Sequence, residues 1–227
     1  MKIKRWSYSA LKTYETCPQQ FRFRRDGVPE PPSPAMDRGS AIHGELEQYI
    51  GGGVGRLSKE VSTTLGELKR DMLRLRKHPT AQAEVEVSVD RRWRPVPWND
   101  AKAWCRAKFD VREPVVNELV TGVRIIDHKT GRERPAEHAD QLELYAVLEF
   151  SVNPAAEYVV GEIFYIDHGR KMSVLYDNRK FALGRLRDRW IERATKLLDD
   201  RVFEPTPGHG CRWCAFSRMK GGPCEVA

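Results

Sequence analysis

The stretch Thr121-Gly-Val-Arg-Ile-Ile-Asp-His-Lys-Thr-Gly131 reads as a β-strand that ends in chemistry. Side chains in a strand alternate between faces, so Val123, Ile125, Asp127 and Lys129 share one face, and a carboxylate and an ammonium point the same way. Thr130-Gly131 then closes the strand as a turn. Alone, Asp-x-Lys at a strand end is an ordinary salt bridge, so its meaning depends on its neighbours. Upstream, residues 101–111 alternate as well, with Trp104, Arg106, Lys108 and Asp110 on one face and Cys105, Ala107, Phe109 and Val111 on the other. That makes Cys105 a core thiol, since buried thiols pack as small hydrophobes. A turn-like stretch around Pro114 and Asn117 joins the two strands. If they are antiparallel neighbours, Asp110 and Asp127 converge at one end of the sheet. Paired carboxylates with open positions suit Mg²⁺ or Mn²⁺, which can activate water and neutralise charge on a phosphodiester. Lys129 would stand beside the metal, against the nucleophile or the charge of the transition state. Two surface acids at strand ends are the alternative that patterning leaves open.

Outward from this centre, Glu84 to Asp90 alternates strictly and Glu157 to Asp167 is rich in β-formers, so both read as strands. Helical periodicity runs over Trp6 to Arg25, with Ser7 or Ser9 as cap and Pro18 ending or kinking its first turns. It returns over Met36 to Ile50, where Ile42, Leu46 and Tyr49 form a stripe beside His43, and over Val61 to Lys77, Pro135 to Phe150 and Arg179 to Asp200. The order is helices, three strands, a helix, a strand, a helix and a cysteine-rich tail, which is an α/β pattern without internal repeats.

With 227 residues, 40% hydrophobic and 31% charged, the chain has the composition of a soluble globular protein. No apolar run reaches the length of a membrane span. The first residues, Met-Lys-Ile-Lys-Arg-Trp, lack the apolar core of a signal peptide, so a cytoplasmic location is expected. A formal charge of +7 mildly favours a polyanionic partner. Disulfides are not expected in a reducing compartment. Cys211 and Cys214 form Cys-x-x-Cys, with Cys224 following and Cys17 at the far end of the chain. Four thiolates of this kind can hold zinc or an iron–sulfur cluster. Arg91-Arg92-Trp93-Arg94, with Trp98 nearby, interleaves cations and indoles, as a loop that binds phosphates and stacks bases would; a solvated loop tip is the plain alternative. Residues 21–25 and the cations of the last helix are further contact candidates.

Taken together, this layout resembles the PD-(D/E)XK nuclease superfamily, in particular its RecB-like branch, over nearly the full length. Ser7-Tyr8-Ser9 through Cys17-Pro18-Gln19-Gln20-Phe21 resembles that branch's N-terminal cysteine helix. Gly39 to Gly44 resembles its histidine motif, which implies His43 as a metal ligand. Asp110 matches the first acid, although no proline precedes it. Asp127-His128-Lys129 matches the (D/E)xK signature, with the backbone carbonyl of His128 as an additional ligand, and Gln141 with Tyr145 matches the Gln-x-x-x-Tyr motif on one helix face. In AddB-type and CRISPR-adaptation-type relatives the one-plus-three cysteine layout is a four-iron, four-sulfur staple. The resemblance therefore implies such a cluster at Cys17, Cys211, Cys214 and Cys224, with Zn²⁺ as the alternative. The nine residues between Cys214 and Cys224 are a wide gap for the family. The resemblance also implies a restriction-endonuclease-like mixed sheet in a single domain over 1–227, with residues 1–25 and 201–227 joined by the cluster. The expected activity is a Mg²⁺- or Mn²⁺-dependent DNA exonuclease acting on single-stranded or end-bearing DNA. Phage recombination or repair exonucleases and the CRISPR-adaptation nuclease are the similar stand-alone forms, with a protein of those pathways as partner. A structure-specific endonuclease, or a DNA-binding subunit with a vestigial site, are the competing readings.

Overall fold

The computed structural model describes residues 3–116 and 121–226; Asn117, in the expected turn, lies outside them. In chain order the elements are α1 (Tyr8–Thr16), α2 (Pro18–Arg25), α3 (Pro34–Ile50), α4 (Lys59–Thr64), α5 (Leu68–Lys77), β1 (Gln82–Val89), β2 (Cys105–Val116), β3 (Thr121–Lys129), α6 (Pro135–Val152), β4 (Tyr158–Tyr165), β5 (Arg170–Asp177) and α7 (Leu183–Asp199). The chain divides into two compact units: Pro34–Arg187, and Met1–Ser33 with Asp188–Ala227.

The larger unit is a five-stranded sheet in the order β1-β2-β3-β4-β5. Only β3 and β4 run parallel; the other neighbours are antiparallel. Parallel neighbours need a long crossover, and α6 supplies it. The helix therefore starts just beyond the end of β3, where Asp127 and Lys129 stand. β3 is buried on both faces along most of its length, as a central strand should be. One face carries an apolar cluster in which Ile42, Leu46, Leu68, Met72 and Leu75 of α3 and α5 meet Val111, Ile126 and Phe164. α6 covers other sheet residues, packing so closely that a Cβ on Gly161 of β4 would come 3.2 Å from Leu142.

Several expectations change. The helix read over Val61 to Lys77 is two helices, broken at Gly66, whose φ is +48°. A Cβ on Gly66 would sit 3.0 Å from the Gly169 carbonyl, so the backbones cross where only glycine fits. β2 does not end near Pro114 but runs on through it, Val123 lying opposite. β5 is an additional strand, at the edge of the sheet, where Met172, Val174 and Tyr176 are partly covered while their neighbours are exposed. The strict alternation of β2 also breaks at Asp110. Phe109 packs its ring 4.8 Å from Tyr145 of α6, yet Val111, two residues on, belongs to the α3–α5 cluster. Across the ladder, pairing skips from Ala83↔Val111 to Val85↔Phe109, and Glu84 takes φ +56°. The register is the same on both sides of this gap, so Glu84 and Asp110 drop out of the pairing with no extra residue on either strand.

The smaller unit is built on aromatic packing. Trp6 stacks on Trp190 at 6.0 Å, Phe21 on Phe203 at 6.2 Å, and Phe23 meets Phe216 at 5.2 Å. The helix expected over Trp6 to Arg25 is divided. Ser7 caps α1 by accepting the Ala10 N–H, and Pro18 starts α2, where its missing N–H is no loss. Cys17 is left between them in extended conformation, at φ −161° and ψ 111°.

Candidate metal centre

β3 presents its two faces to different partners. Asp127 Oδ1 accepts from Gln141 Nε2 at 2.8 Å and from the Tyr145 hydroxyl at 3.2 Å, both on α6. Gln141 and Tyr145 also bond each other at 2.6 Å, as residues one turn apart can. Lys129 Nζ lies 2.6 Å from Asp127 Oδ2. That oxygen has no hydrogen-bond partner, so the lysine sits at ion-pair distance without hydrogen-bond alignment. His128 points the other way, with its ring 6.0 Å from Phe164 and 5.9 Å from His43 of α3.

Asp110 connects the two sides. Its Oδ2 accepts the backbone N–H of His128 at 2.6 Å and lies 3.3 Å from His43 Nδ1 and 3.6 Å from His128 Nδ1. His43, Asp110 and His128 thereby each offer a ligand atom within 4.8 Å of the others, the one such group of three or more among the described residues. Asp127 stands beside this group rather than in it. The His128 side chain was not anticipated: the sequence reading gave that residue a role through its carbonyl. The missed signal was the alternation itself, which turns the residue between Asp127 and Lys129 toward α3.

The electrostatics follow from burial and neighbours. Burial pushes His128 down to about 4, against the pull of Asp110, so its ring is neutral. Its Nε2 is buried without a partner. Burial opposes charge on His43 as well, but the hydrogen bond and charge of Asp110 outweigh it and raise its pKa. Asp110 moves oppositely, because His43 and His128 more than offset its burial and hold it below the usual carboxylate range. Burial lifts Asp127 above that range, Lys129 offsetting only part, and burial raises Tyr145 well above an ordinary phenol. A neutral imidazole with an unpartnered nitrogen and an ionised carboxylate, with the Asp127 carboxyl beside them, form a donor set that fits a divalent cation. Of this group, His43 and Asp110 border a cleft of about 700 Å³ lined also by Gly39, Ser40, Glu47 and Glu84. Gly39 and Gly44 keep the α3 wall low, Gly44 facing open space.

One second-layer element holds this wall. Asp167, after β4, accepts from Arg38 of α3 at 2.8 and 3.1 Å and from the Gly131 N–H at 2.6 Å. A single carboxylate therefore ties the helix of His43 to the turn after Lys129.

The four tail-and-helix cysteines lie together in the smaller unit. All are free thiols. The Cys214 thiol is raised by burial and also by Cys17, Cys224 and Cys211, so each of the other three is an electrostatic neighbour. Backbone N–H groups of Thr206 and Gly208 reach the sulfurs of Cys17 and Cys211 at 3.5 and 3.4 Å.

The expected base-stacking loop is different from its sequence reading. Trp93 is 4% exposed, turned inward at φ +60° and edge-on to Trp104 at 5.4 Å. Asp90 organises the loop by accepting the N–H groups of Arg92 and Arg94 and pairing with the Arg94 guanidinium at 2.7 Å. Arg91 and Arg92 remain on the surface. Around residues 21–25, Arg24 pairs with Glu30 and Arg25 with Asp26.

Among the described residues, no helix is long and apolar enough to cross a membrane. No curated protein matches the chain. Among solved structures, a protein labelled SSO0001 is 15% identical with a TM-score of 0.49, over 100% of this chain and 88% of its own. A candidate exonuclease from Eubacterium rectale is 15% identical with a TM-score of 0.47, over 93% of this chain and 87% of its own. The family model described as the PD-(D/E)XK nuclease superfamily matches residues 5–219. With a five-stranded mixed sheet flanked by helices and an Asp-x-Lys strand end at its centre, the chain belongs to the PD-(D/E)XK nuclease superfamily.

Proposed function

We propose that the protein is a Mg²⁺- or Mn²⁺-dependent deoxyribonuclease of the RecB-like branch, an exonuclease acting on single-stranded or end-bearing DNA in recombination, repair or CRISPR adaptation. The observation that carries it is the meeting of α3, β2 and β3, which brings His43, Asp110 and His128 within ligand distance beside Asp127 and Lys129. His43, Asp110 and His128, with Asp127 beside them, would hold a divalent cation, which would supply a polarised water and neutralise charge on the scissile phosphate. The chain does the rest. Lys129 keeps an ammonium at the mouth of the site, where it opposes developing negative charge. Gln141 and Tyr145 hold the Asp127 carboxylate by one oxygen, and the other lies 2.6 Å from the Lys129 Nζ. α3 exposes small residues to the cleft, so a phosphodiester backbone can approach.

In the same reading, Cys17, Cys211, Cys214 and Cys224 hold a four-iron, four-sulfur cluster. What supports this is that Cys17, Cys211 and Cys224 are all electrostatic neighbours of Cys214; zinc is the alternative that four thiolates also fit.

The test is cleavage of end-labelled linear DNA and circular single-stranded DNA of the same sequence, with Mn²⁺ or EDTA. Linear-only, Mn²⁺-dependent degradation is expected, with the label giving the polarity. Cutting of circles would replace the exonuclease with an endonuclease.

A further inference from the structure

The tail that carries three of the cysteines has a feature that the metal sites leave unused. Trp213 is 76% exposed and Met219 71%, the most exposed of the large apolar side chains among the described residues. Nearby Phe216 shows the reverse, 1% exposed and packed on Phe23. The tail folds tightly around that anchor. A Cβ on Gly222 would collide with the Phe216 backbone at 2.3 Å, and the Cys224 N–H bonds the Phe216 carbonyl at 3.0 Å. Trp213 is therefore an indole held out on an ordered element, not a stray side chain on a loose end. An isolated exposed apolar residue needs no explanation; its setting gives this one an occupant. From His209 to Lys220 the sequence holds Arg212, Arg218 and Lys220 and no acid. Arg212 places its guanidinium 5.6 Å from the Trp213 ring, and Lys220 Nζ donates to the Trp213 carbonyl at 3.1 Å. No carboxylate pairs with any of the three cations among the described residues, whereas Arg24, Arg25, Arg94 and Arg193 all have one.

We propose that Trp213, with Arg212, Arg218 and Lys220, is a contact site for a single strand of nucleic acid, the indole stacking on a base while the cations take the flanking phosphates. An indole with unneutralised cations around it matches both parts of a strand, π-face and phosphate. The proposal deepens the nuclease reading, on which it rests for the identity of its polyanion, and it transfers to the tail the role the sequence assigned to the inward-facing Trp93.

The experiment measures anisotropy of a fluorescein-labelled oligothymidylate with the full-length protein and no added divalent metal, so that binding is read without cleavage. Trp213→Ala is expected to weaken binding on the order of tenfold, and Trp213→Phe by much less, because one stacked base is lost only in the first. The double variant Arg212→Gln/Arg218→Gln, whose side chains lie on the surface, is expected to lower the slope of log K against log salt by about 1.4, at about 0.7 per phosphate contact on a single strand. An affinity unmoved by Trp213→Ala, or a salt slope unmoved by the double variant, overturns the proposal and leaves the patch to a protein partner. The nuclease reading is judged separately: a wild type that binds the strand as described but never cuts it with Mn²⁺ sinks that reading and not this one.

Discussion

Asp127 shows how one side chain is set by its partners. Burial drives its carboxyl toward neutrality while Lys129 pulls it back, and Gln141 and Tyr145 fix one oxygen. Supports of this kind matter nearly as much as ligands. Gln141→Ala is therefore expected to lower Mn²⁺-dependent cleavage about 10–100-fold while leaving the melting temperature nearly unchanged; parallel rate and melting measurements check this, and a full-rate Gln141→Ala would remove the residue from the site. At this scale Asp127 and Lys129 were legible because alternation alone places them together. The directions of the His128 and Trp93 side chains were not legible, for one reason. Periodicity says which residues share a face, not which face meets another helix and which side chain a turn folds inward.

Between elements, the wall of the cleft depends on Asp167. Its carboxyl is held below the usual range, chiefly by the Arg38 guanidinium and also by the Gly131 N–H. A depressed carboxyl stabilises the fold above its unfolded value of about 3.9 and ceases to do so as pH falls through the lower folded value. Asp167→Asn should thus be destabilised by about 1–3 kcal/mol at neutral pH, and the gap to wild type should close below about pH 4; urea titrations across pH read this directly, and a gap constant with pH would deny the ion pair its role. Glu113 carries a second network on the α5 side of the sheet. It is 2% exposed and meets Arg74, Arg124 at 3.1 Å and His78 at 3.5 Å. Glu113→Ala removes the buried acceptor that Arg74 and Arg124 share, although each keeps another carboxylate, Asp71 at 3.9 Å and Glu162 at 3.5 Å; it is expected to destabilise by about 1–3 kcal/mol, measured by urea unfolding, and a loss under about 1 kcal/mol would mark the network as surface-like. Element types were mostly readable from period, but β5 was lost because an edge strand exposes half its residues and reads as polar. The α4–α5 break was lost because Gly66 interrupts an otherwise regular stripe, and its left-handed turn answers to Gly169, over a hundred residues away in sequence.

Across the whole molecule, the family and the mixed sheet were foreseen from motif order, which survives where single motifs are weak. The skipped pair at Glu84 and Asp110 was not, since nothing in an alternating stretch announces it. The four cysteines belong to the smaller unit, so their cofactor should govern that unit's stability. Protein purified without oxygen should be brown and carry about four iron atoms per chain, as the four-iron cluster requires, and Cys17→Ser should lose both colour and iron; a colourless protein with zinc in its place would overturn the cluster. The central claim is that the end of β3 is a metal-dependent nuclease centre. Its most direct test is the initial rate at which wild type and Lys129→Ala degrade end-labelled linear DNA with Mn²⁺, alongside their affinity for that DNA without metal. Wild-type cleavage that requires Mn²⁺ and falls by about a hundredfold or more in Lys129→Ala, with binding kept, is the predicted result; a Lys129→Ala protein that cuts at the wild-type rate would contradict it.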